Sequence, residues 1–442
     1  VEEENMKTVS NFVSSEKQPF NKTVRAFIPQ YAVIPFEQIK GMTYHCMLKE
    51  NDTVSEGQII GVPNENDTGD TGASIHSSIP GKVAKIVTCS LPDGKIGPAA
   101  KIRLIGSFSY LGKKQTPVKW ESNGADDLCT IFAQKGVINT FIDSYALSTQ
   151  IKEKRNNKNK FVVIRLFDED PSRMTDSFIA AQFSDNVIEG VKIIAKASLA
   201  DGVIFVQAKN DTTAYDELLK EFKSVPCLCV KVDTQRYPAG FMQNIVQTVK
   251  HELRGQKNSP FAAMGTESLF IDTETALSAY EAVVYGIPVV ERYVHITGDC
   301  LRSAGMFKVR VGTTIESLAE QCGGFKINPA KIIINGMITG YAISSMDTPV
   351  TKQVKSIMFI PANQLSDQNF TTCVRCGKCR RICPEGIYPD LMFRHQTGGK
   401  PIGSDLIKTA QLCSGCCLCN SVCPARLPLS QTILLQKEMH HE

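Results

Sequence analysis

The sequence predicts an α/β multidomain chain. Its parts are a barrel-sandwich hybrid, a strand–helix alternating unit of Rossmann-like type, a compact α+β unit and a small helical domain on a doubled cysteine motif. Three observations predict it. Two stretches near the front, LKENDTVSEGQIIG (48–61) and SIHSSIPGKVAKI (74–86), pair short apolar alternations with glycine turns, the mark of small strands. The middle alternates buried-strand runs with helical spacing, which implies a parallel sheet. The end repeats a spacing of four cysteines. A length of 442 residues is room for two to four domains.

Residues 1–30 read as a polar leader, beginning VEEENMKTVSNF with no charged-then-apolar signal pattern. The hairpin stretches place a barrel-sandwich hybrid of biotinyl/lipoyl type over 31–115. A carrier of that type needs a lysine at a hairpin tip, and the loop VPNENDTGDTGA (62–73) has none. The module is therefore read as structural, with His45 and His76 as surface or packing residues. Over 120–255, FVVIRL (161–166), GVIFVQ (202–207) and CLCVKV (227–232) are buried strands. Val187, Val191 and Ile194 between them, then Tyr215, Leu218 and Leu219, recur at helical spacing. The basic stretch IKEKRNNKNK (151–160) reads as a solvated loop. Over 256–350, SLFIDT (268–273), a helix TALSAYEAVVYG (275–286), VVERYVHIT (289–297) and KIIING (331–336) form an α+β unit. PANQLSDQNFTT (361–372) links it to the last domain, 360–442, which ends in the solvated EMHHE with His440 and His441.

Composition narrows the classes. Apolar residues at 42% and charged residues at 21% suit a globular chain. A net charge of +4 selects no partner. No apolar run approaches the ~20 residues needed to span a bilayer. With one Trp, and basic residues not interleaved with aromatics, the chain lacks a stacking surface for nucleic acid. Sixteen cysteines without a signal peptide point to a reducing compartment and to metal binding rather than disulfides.

Cys373, Cys376, Cys379 and Cys383, followed by Pro384, have the spacing C-x2-C-x2-C-x3-C-P, and Cys413, Cys416, Cys419, Cys423 and Pro424 repeat it. Two-cluster ferredoxins carry this spacing, and the fourth cysteine of each run ligates the other cluster. The metal ligands are therefore assigned as Cys373, Cys376, Cys379 and Cys423 for one [4Fe–4S] cluster, and Cys413, Cys416, Cys419 and Cys383 for the second. Structural zinc sites use two CxxC pairs or Cys/His mixtures instead. Cys417 fits neither spacing and reads as a packed thiol near the cluster. Cys46, Cys89, Cys129, Cys227, Cys229, Cys300 and Cys322 read as small apolar residues. The first loop carries Arg375, Lys378, Arg380 and Arg381, and the second carries no charge. This asymmetry predicts the higher potential for the first cluster and a basic patch able to dock an acidic electron carrier.

The order of pieces over about 31–435 resembles the C subunit of Rnf complexes, membrane-associated ion-pumping electron-transfer assemblies. The resemblance rests on the doubled cysteine motif, the two hairpin stretches, VDTQRYPAG (232–240), ALSAYEAVVYGIPVVERYVHITG (276–298) and KIIINGMITGYAI (331–343). It implies that 256–350 is a β-grasp (SLBB) module. It also implies that 120–255 is similar to the NADH-binding subunit of respiratory complex I. Family members bind flavin mononucleotide (FMN) and NADH through a loop like GLGGAGFPT and an acidic stretch like NGAECEP. The matching segments here are KGVINTFIDSYALS (135–148) and RLFDEDP (165–171). Only Gly136 survives of the glycines, with Asn139, Phe141 and Ile142 in their place and Asp143 adding negative charge. Bulk and charge both oppose a phosphate, which needs close backbone approach and free N–H groups.

The chain is thus expected to hold two [4Fe–4S] clusters, to lack FMN and NAD, and to have no catalytic residue of its own. It would relay electrons between ferredoxin or another carrier and a membrane or cytochrome partner, as the resemblance to the variant Rnf complexes of methanogenic archaea implies. Its partners would be other Rnf-type membrane and iron–sulfur subunits in a hetero-oligomer, with no nucleic acid, at the cytoplasmic face of the membrane. Two alternatives stand: an FMN-dependent NADH:ferredoxin oxidoreductase subunit, and a non-redox adaptor with structural clusters.

Overall fold

The computed structural model describes residues 9–10, 23–64, 72–211, 215, 222, 225–256, 258–365, 371–398 and 403–439. Leu218, Leu219, His440 and His441, and part of the 62–73 loop, lie outside them.

The hairpin stretches form two small antiparallel sheets facing one core. One joins Tyr31–Pro35, Ile96–Leu104, Gly81–Ser90 and Thr53–Val54; the other joins Tyr44–Cys46, Ile59–Pro63 and Ile75–His76. Alternate residues point inward, and Ile34, Ile60, Ile75, Ile79, Val83 and Ile102 meet fully buried between the sheets. His45 is exposed and His76 is buried, its Nε2 2.8 Å from the Gln134 carbonyl.

The middle unit is a four-stranded parallel sheet in the order Cys227–Val232, Gly202–Ala208, Phe161–Arg165, Leu269–Asp272. Its central strands are buried at every position, as expected where helices cover both faces. Helices Ala125–Lys135, Thr175–Gln182, Ser184–Ser198 and Thr273–Val284 share a core on one face, into which Val187, Val191 and Ile194 pack. Helix Met242–Glu252 covers the other through Ile245, Val246 and Val249.

Three expectations are corrected here. SLFIDT and the helix after it belong to the parallel sheet, not to an α+β unit starting at 256, because Leu269–Asp272 pairs with Phe161–Arg165 more than a hundred residues earlier. The next sheet along the chain is six-stranded, is built on Glu291–Thr297 and Gly305–Arg310, and runs past 350 to include Ser356–Ile360. The same sheet also takes in Val24–Arg25, and Ala26 is buried in its core, so the leader ends earlier than residue 30. Residues 151–160 are no simple solvated loop: helix Leu147–Lys154 buries Ile151, and Arg155 donates to the carbonyls of Ala125 and Ala197.

Lys352 ties three units together. It is buried, and its Nζ donates to the carbonyls of Ser74 and Gly136, each at 2.8 Å. Burial, helped by the Arg292 charge, pushes its ammonium down to about 7. Between that value and the ordinary lysine range the unfolded chain binds the extra proton, so stability rises with pH across the window. Lys352→Met removes that rise. Urea midpoints of both proteins at pH 7 and pH 9.5 check it: wild type gains relative to the variant at the higher pH, whatever the absolute gap.

Candidate functional site: two cysteine-lined cavities and the edge of the parallel sheet

In the C-terminal domain the two cysteine runs fold as a pseudo-symmetric pair. Each begins with two left-handed turns, at Arg375 and Gly377 in the first copy and at Gly415 and Cys417 in the second. A short helix comes next, Lys378–Ile382 or Leu418–Ser421. A third left-handed residue, Gly386 or Arg426, then turns the chain into a longer helix, Pro389–Gln396 or Leu429–Met439. The turns aim thiols inward and the longer helices pack on each other.

Two cavities result. Cys373, Cys376, Cys379 and Cys423 line one, together with Asp390. Cys383, Cys413, Cys416 and Cys419 line the other, together with Cys417 and Ser430. The fourth thiol of each set comes from the opposite run. All sixteen cysteines are free of disulfides. Among the described residues no three His, Cys, Asp or Glu side chains close on a point suited to one metal ion. Four thiols alone would also suit a zinc ion, but thiols set around a cavity without closing on one point, in the doubled spacing with crossed fourth members, are the donor set of a cluster, so the residues present fit the group. Burial pushes the Cys416 thiol up to about 12 and raises those of Cys379 and Cys413. Such groups become thiolates at neutral pH only beside strong positive charge, which bound iron supplies.

The cavities differ in exposure. Cys376 is exposed, while Cys383, Cys416 and Cys419 are buried. The second lies against the α/β unit, where the buried Tyr237 donates its hydroxyl to the Cys416 carbonyl at 2.8 Å and Phe241 and Leu418 close round it. Strand Arg236–Tyr237 is itself paired with Val9–Ser10. Sequence reasoning missed Tyr237, although it stands in VDTQRYPAG. It also missed Asp390, and that changes the reading of Arg380. Two 2.6 Å bonds lock the Arg380 guanidinium to the Asp390 carboxylate, and it stacks 5.0 Å from the Tyr388 ring. Its charge is cancelled locally, so it is withdrawn from the basic patch.

In open α/β folds ligands gather at the carboxyl ends of the parallel strands. Here that edge carries Arg165 beside Asp272. The guanidinium of the fully buried Arg165 donates to the carbonyls of Phe167, Gly240 and Phe141 and to the Glu169 carboxylate. It lies 4.2 Å over the buried Phe141 ring. The residues standing in the glycine positions are also engaged. The Asn139 amide donates to the Phe270 carbonyl, and the Thr140 hydroxyl to Asp272 at 2.7 Å. Lys355 enters from the six-stranded sheet and sets its Nζ 2.7 Å from Asp272 and 2.8 Å from Asp176, all buried. The acidic residues of RLFDEDP are also engaged, Asp168 accepting from the backbone N–H groups of Asp176 and Ser177. Glu169 faces Arg165 and Arg173, and Asp170 accepts from Ser172 and from the backbone of Ile338 and Thr339. Gly136 caps helix Ala125–Lys135 at φ 69°, and a Cβ there would collide with the Ser74 carbonyl. Its glycine serves chain packing.

A cleft of about 160 Å³ opens beside this edge, lined by Ser144, Arg173, Phe241, Lys437 and Cys413 among others. Arg173 has two buried nitrogens without hydrogen-bond partners.

Two family models match the chain: the RnfC barrel sandwich hybrid domain over residues 12–103 and the Nuo51 FMN-binding domain over residues 143–281. The second match takes in strand Leu269–Asp272, which the parallel sheet also claims, and starts after residues 135–142. The C subunit of the proton-translocating ferredoxin:NAD(+) oxidoreductase complex of Clostridium ljungdahlii is 26% identical over 379 residues, 86% of this chain and 81% of that one. The C subunit of the Na(+)-translocating ferredoxin:NAD(+) oxidoreductase complex of Acetobacterium woodii is 24% identical, covering 82% of this chain and 80% of that one. The C subunit of the ion-translocating oxidoreductase complex of Rhodobacter capsulatus is 23% identical, covering 82% and 69%. Over most of its length the chain is thus similar to the C subunits of ion-translocating oxidoreductase complexes, and its front part matches the barrel sandwich hybrid domain of RnfC.

Proposed function

We propose that the chain is the electron-relay subunit of a membrane-associated Rnf-type complex. It holds two [4Fe–4S] clusters, on Cys373, Cys376, Cys379 and Cys423 and on Cys413, Cys416, Cys419 and Cys383, and has no FMN or NAD(H) of its own. Electrons pass between ferredoxin or a similar carrier and a membrane or cytochrome partner. The observation that carries this is the contrast between the two ends. The first cavity presents four thiols and the second presents its set of four with Cys417 beside them, while the sheet edge that would cradle a phosphate is filled by Phe141, Arg165 and Lys355. The clusters supply the electron carriage. The chain holds them, keeps the second away from water through Tyr237 and Leu418, and needs no acid, base or nucleophile.

No helix among the described residues is long and apolar enough to cross a membrane. In this reading ion movement belongs to membrane partners, and the subunit docks on them at the cytoplasmic face. The relatives named for ferredoxin and NAD(+) carry the rival reading, an FMN-dependent NADH:ferredoxin oxidoreductase subunit. The FMN-binding family match favours it, whereas the Arg173 guanidinium beside the cleft is already paired with Glu169 and Asp168. The cleft beside Arg173, at about 160 Å³, falls short of the roughly 300 Å³ where small-molecule pockets begin.

Anaerobic purification with iron, sulfide and flavin measured together tests the proposal. The expected result is about eight iron per chain, no flavin, reversible low-potential reduction, and no bleaching of the cluster absorbance by NADH. One flavin per chain with NADH-driven bleaching overturns the nucleotide part, and clusters that cannot be reduced point to the adaptor.

A further inference from the structure

The pseudo-symmetry of the cysteine domain isolates what is special about its outer face. Corresponding positions of the two runs share a backbone and differ in what they meet. Val374 answers to Ser414, Arg375 to Gly415, Lys378 to Leu418 and Arg381 to Ser421. In the second run Leu418 is buried against the α/β unit and Ser414 and Gly415 are half-buried. In the first, Arg375, Lys378 and Arg381 are exposed along the same short run as the exposed Cys376, and Val374 beside them in sequence is 64% exposed. The nearest carboxylate, Asp390, is buried and bound to Arg380. Three exposed cations and one exposed aliphatic side chain thus share a single short run with the exposed thiol of the first cavity.

We propose that this face is the docking surface for a small acidic one-electron carrier protein, with Val374 as the contact centre and Arg375, Lys378 and Arg381 as the steering charges. The proposal rests on the first cavity holding a cluster. Docking brings the carrier's redox centre against Cys376. One electron then leaves the reduced carrier and enters the cluster, with no bond made or broken and no proton moved. Charge of one sign around an exposed centre raises encounter rates by about 10 to 1,000-fold, and salt screens the effect.

The test is anaerobic stopped-flow reduction of the cluster-loaded chain by a dithionite-reduced acidic two-cluster ferredoxin, between low and high salt. Lys378→Glu/Arg381→Glu is the variant, since neither residue lines the cavity. Lys378→Gln/Arg381→Gln is a milder form, and Lys114→Glu/Lys119→Glu an exposed control elsewhere. The expected result is a wild-type rate constant that falls steeply with salt and a variant at least about tenfold slower at low salt. The two should converge at high salt, with iron content and cluster potentials unchanged and the control like wild type. A salt-independent wild-type rate overturns the proposal even if no variant folds. So does a variant that matches wild type, or one slowed equally at every salt concentration, which would mark the cations as acting on the cluster. Iron content separates the readings: a chain without clusters fails the relay, whereas a loaded chain without salt-steered reduction fails only the docking face.

Discussion

Replacing Cys423 with serine should remove the cluster that sits on the first cysteine run, not the one on its own run. Cys423 lines the cavity of Cys373, Cys376 and Cys379, and Cys383 lines that of Cys413, Cys416 and Cys419. Losing one thiolate from a four-cysteine set strips or converts that cluster and leaves the other with its full donor set. Cys423→Ser is expected to lower iron from about eight to about four per chain and to abolish the paramagnetic signal of the more exposed centre. Cys383→Ser should do the same to the buried one. Cys417→Ser should keep all the iron: its thiol faces the Gly415 carbonyl at 3.3 Å and no other run needs it. Chemical iron assay with electron paramagnetic resonance of each reduced variant reads the outcome. Loss of the cluster on the mutated residue's own run would refute the crossed pairing.

The second large effect concerns the filled sheet edge. Lys355→Met should cost about 3–5 kcal/mol, because it leaves Asp176 and Asp272 as buried charges without their cation. Burial alone would raise the Asp272 carboxyl; the Lys355 ammonium and the hydroxyls of Thr275 and Thr140 outweigh it and hold it well below the usual carboxylate range. A depressed carboxylate contributes stability above its unfolded pKa and loses it only as pH falls through the folded one. Burial already raises the neighbouring Asp176 carboxyl despite Lys355, and without the ammonium both carboxyls rise, so the deficit should shrink as pH falls and the variant's carboxyls take up protons. Thermal melts of the single variant and of Lys355→Met/Asp176→Asn/Asp272→Asn check this, and the triple variant should recover most of the loss since no buried charge remains. An unchanged single variant would mean that the ammonium is not what holds the two units together.

The parts legible in the sequence were those written in short range. The cysteine spacing, the glycine turns of the barrel-sandwich stretches and the helical spacing of Val187, Val191 and Ile194 all act within a few residues, and the chain folds there as they suggest. Relationships set across long separations were not legible. The parallel partner of Leu269–Asp272 leaves no local mark, so the strand was grouped with the strands after it. Arg380 looked like one more surface cation because Asp390 is a full helix away in sequence and beside it in space. The filled edge was legible in part: bulk at Asn139 and Phe141 signals a crowded edge, but nothing local says that Lys355 comes from beside another sheet to meet Asp272 there. Nor does composition reveal that Tyr237 meets Cys416.

The left-handed residues of the cysteine domain carry one more meaning. Each of the three turns holds glycine in one copy and a bulkier residue in the other: Arg375 against Gly415, Gly377 against Cys417, Gly386 against Arg426. A left-handed backbone costs a non-glycine residue about 1–2 kcal/mol, so neither copy follows the path of least strain on its own. Two runs that drifted from a common ancestor by internal duplication would show this pattern. Both halves keep one backbone path while their side chains differ, with Cys376 exposed on one and Cys416 buried against the body of the protein on the other.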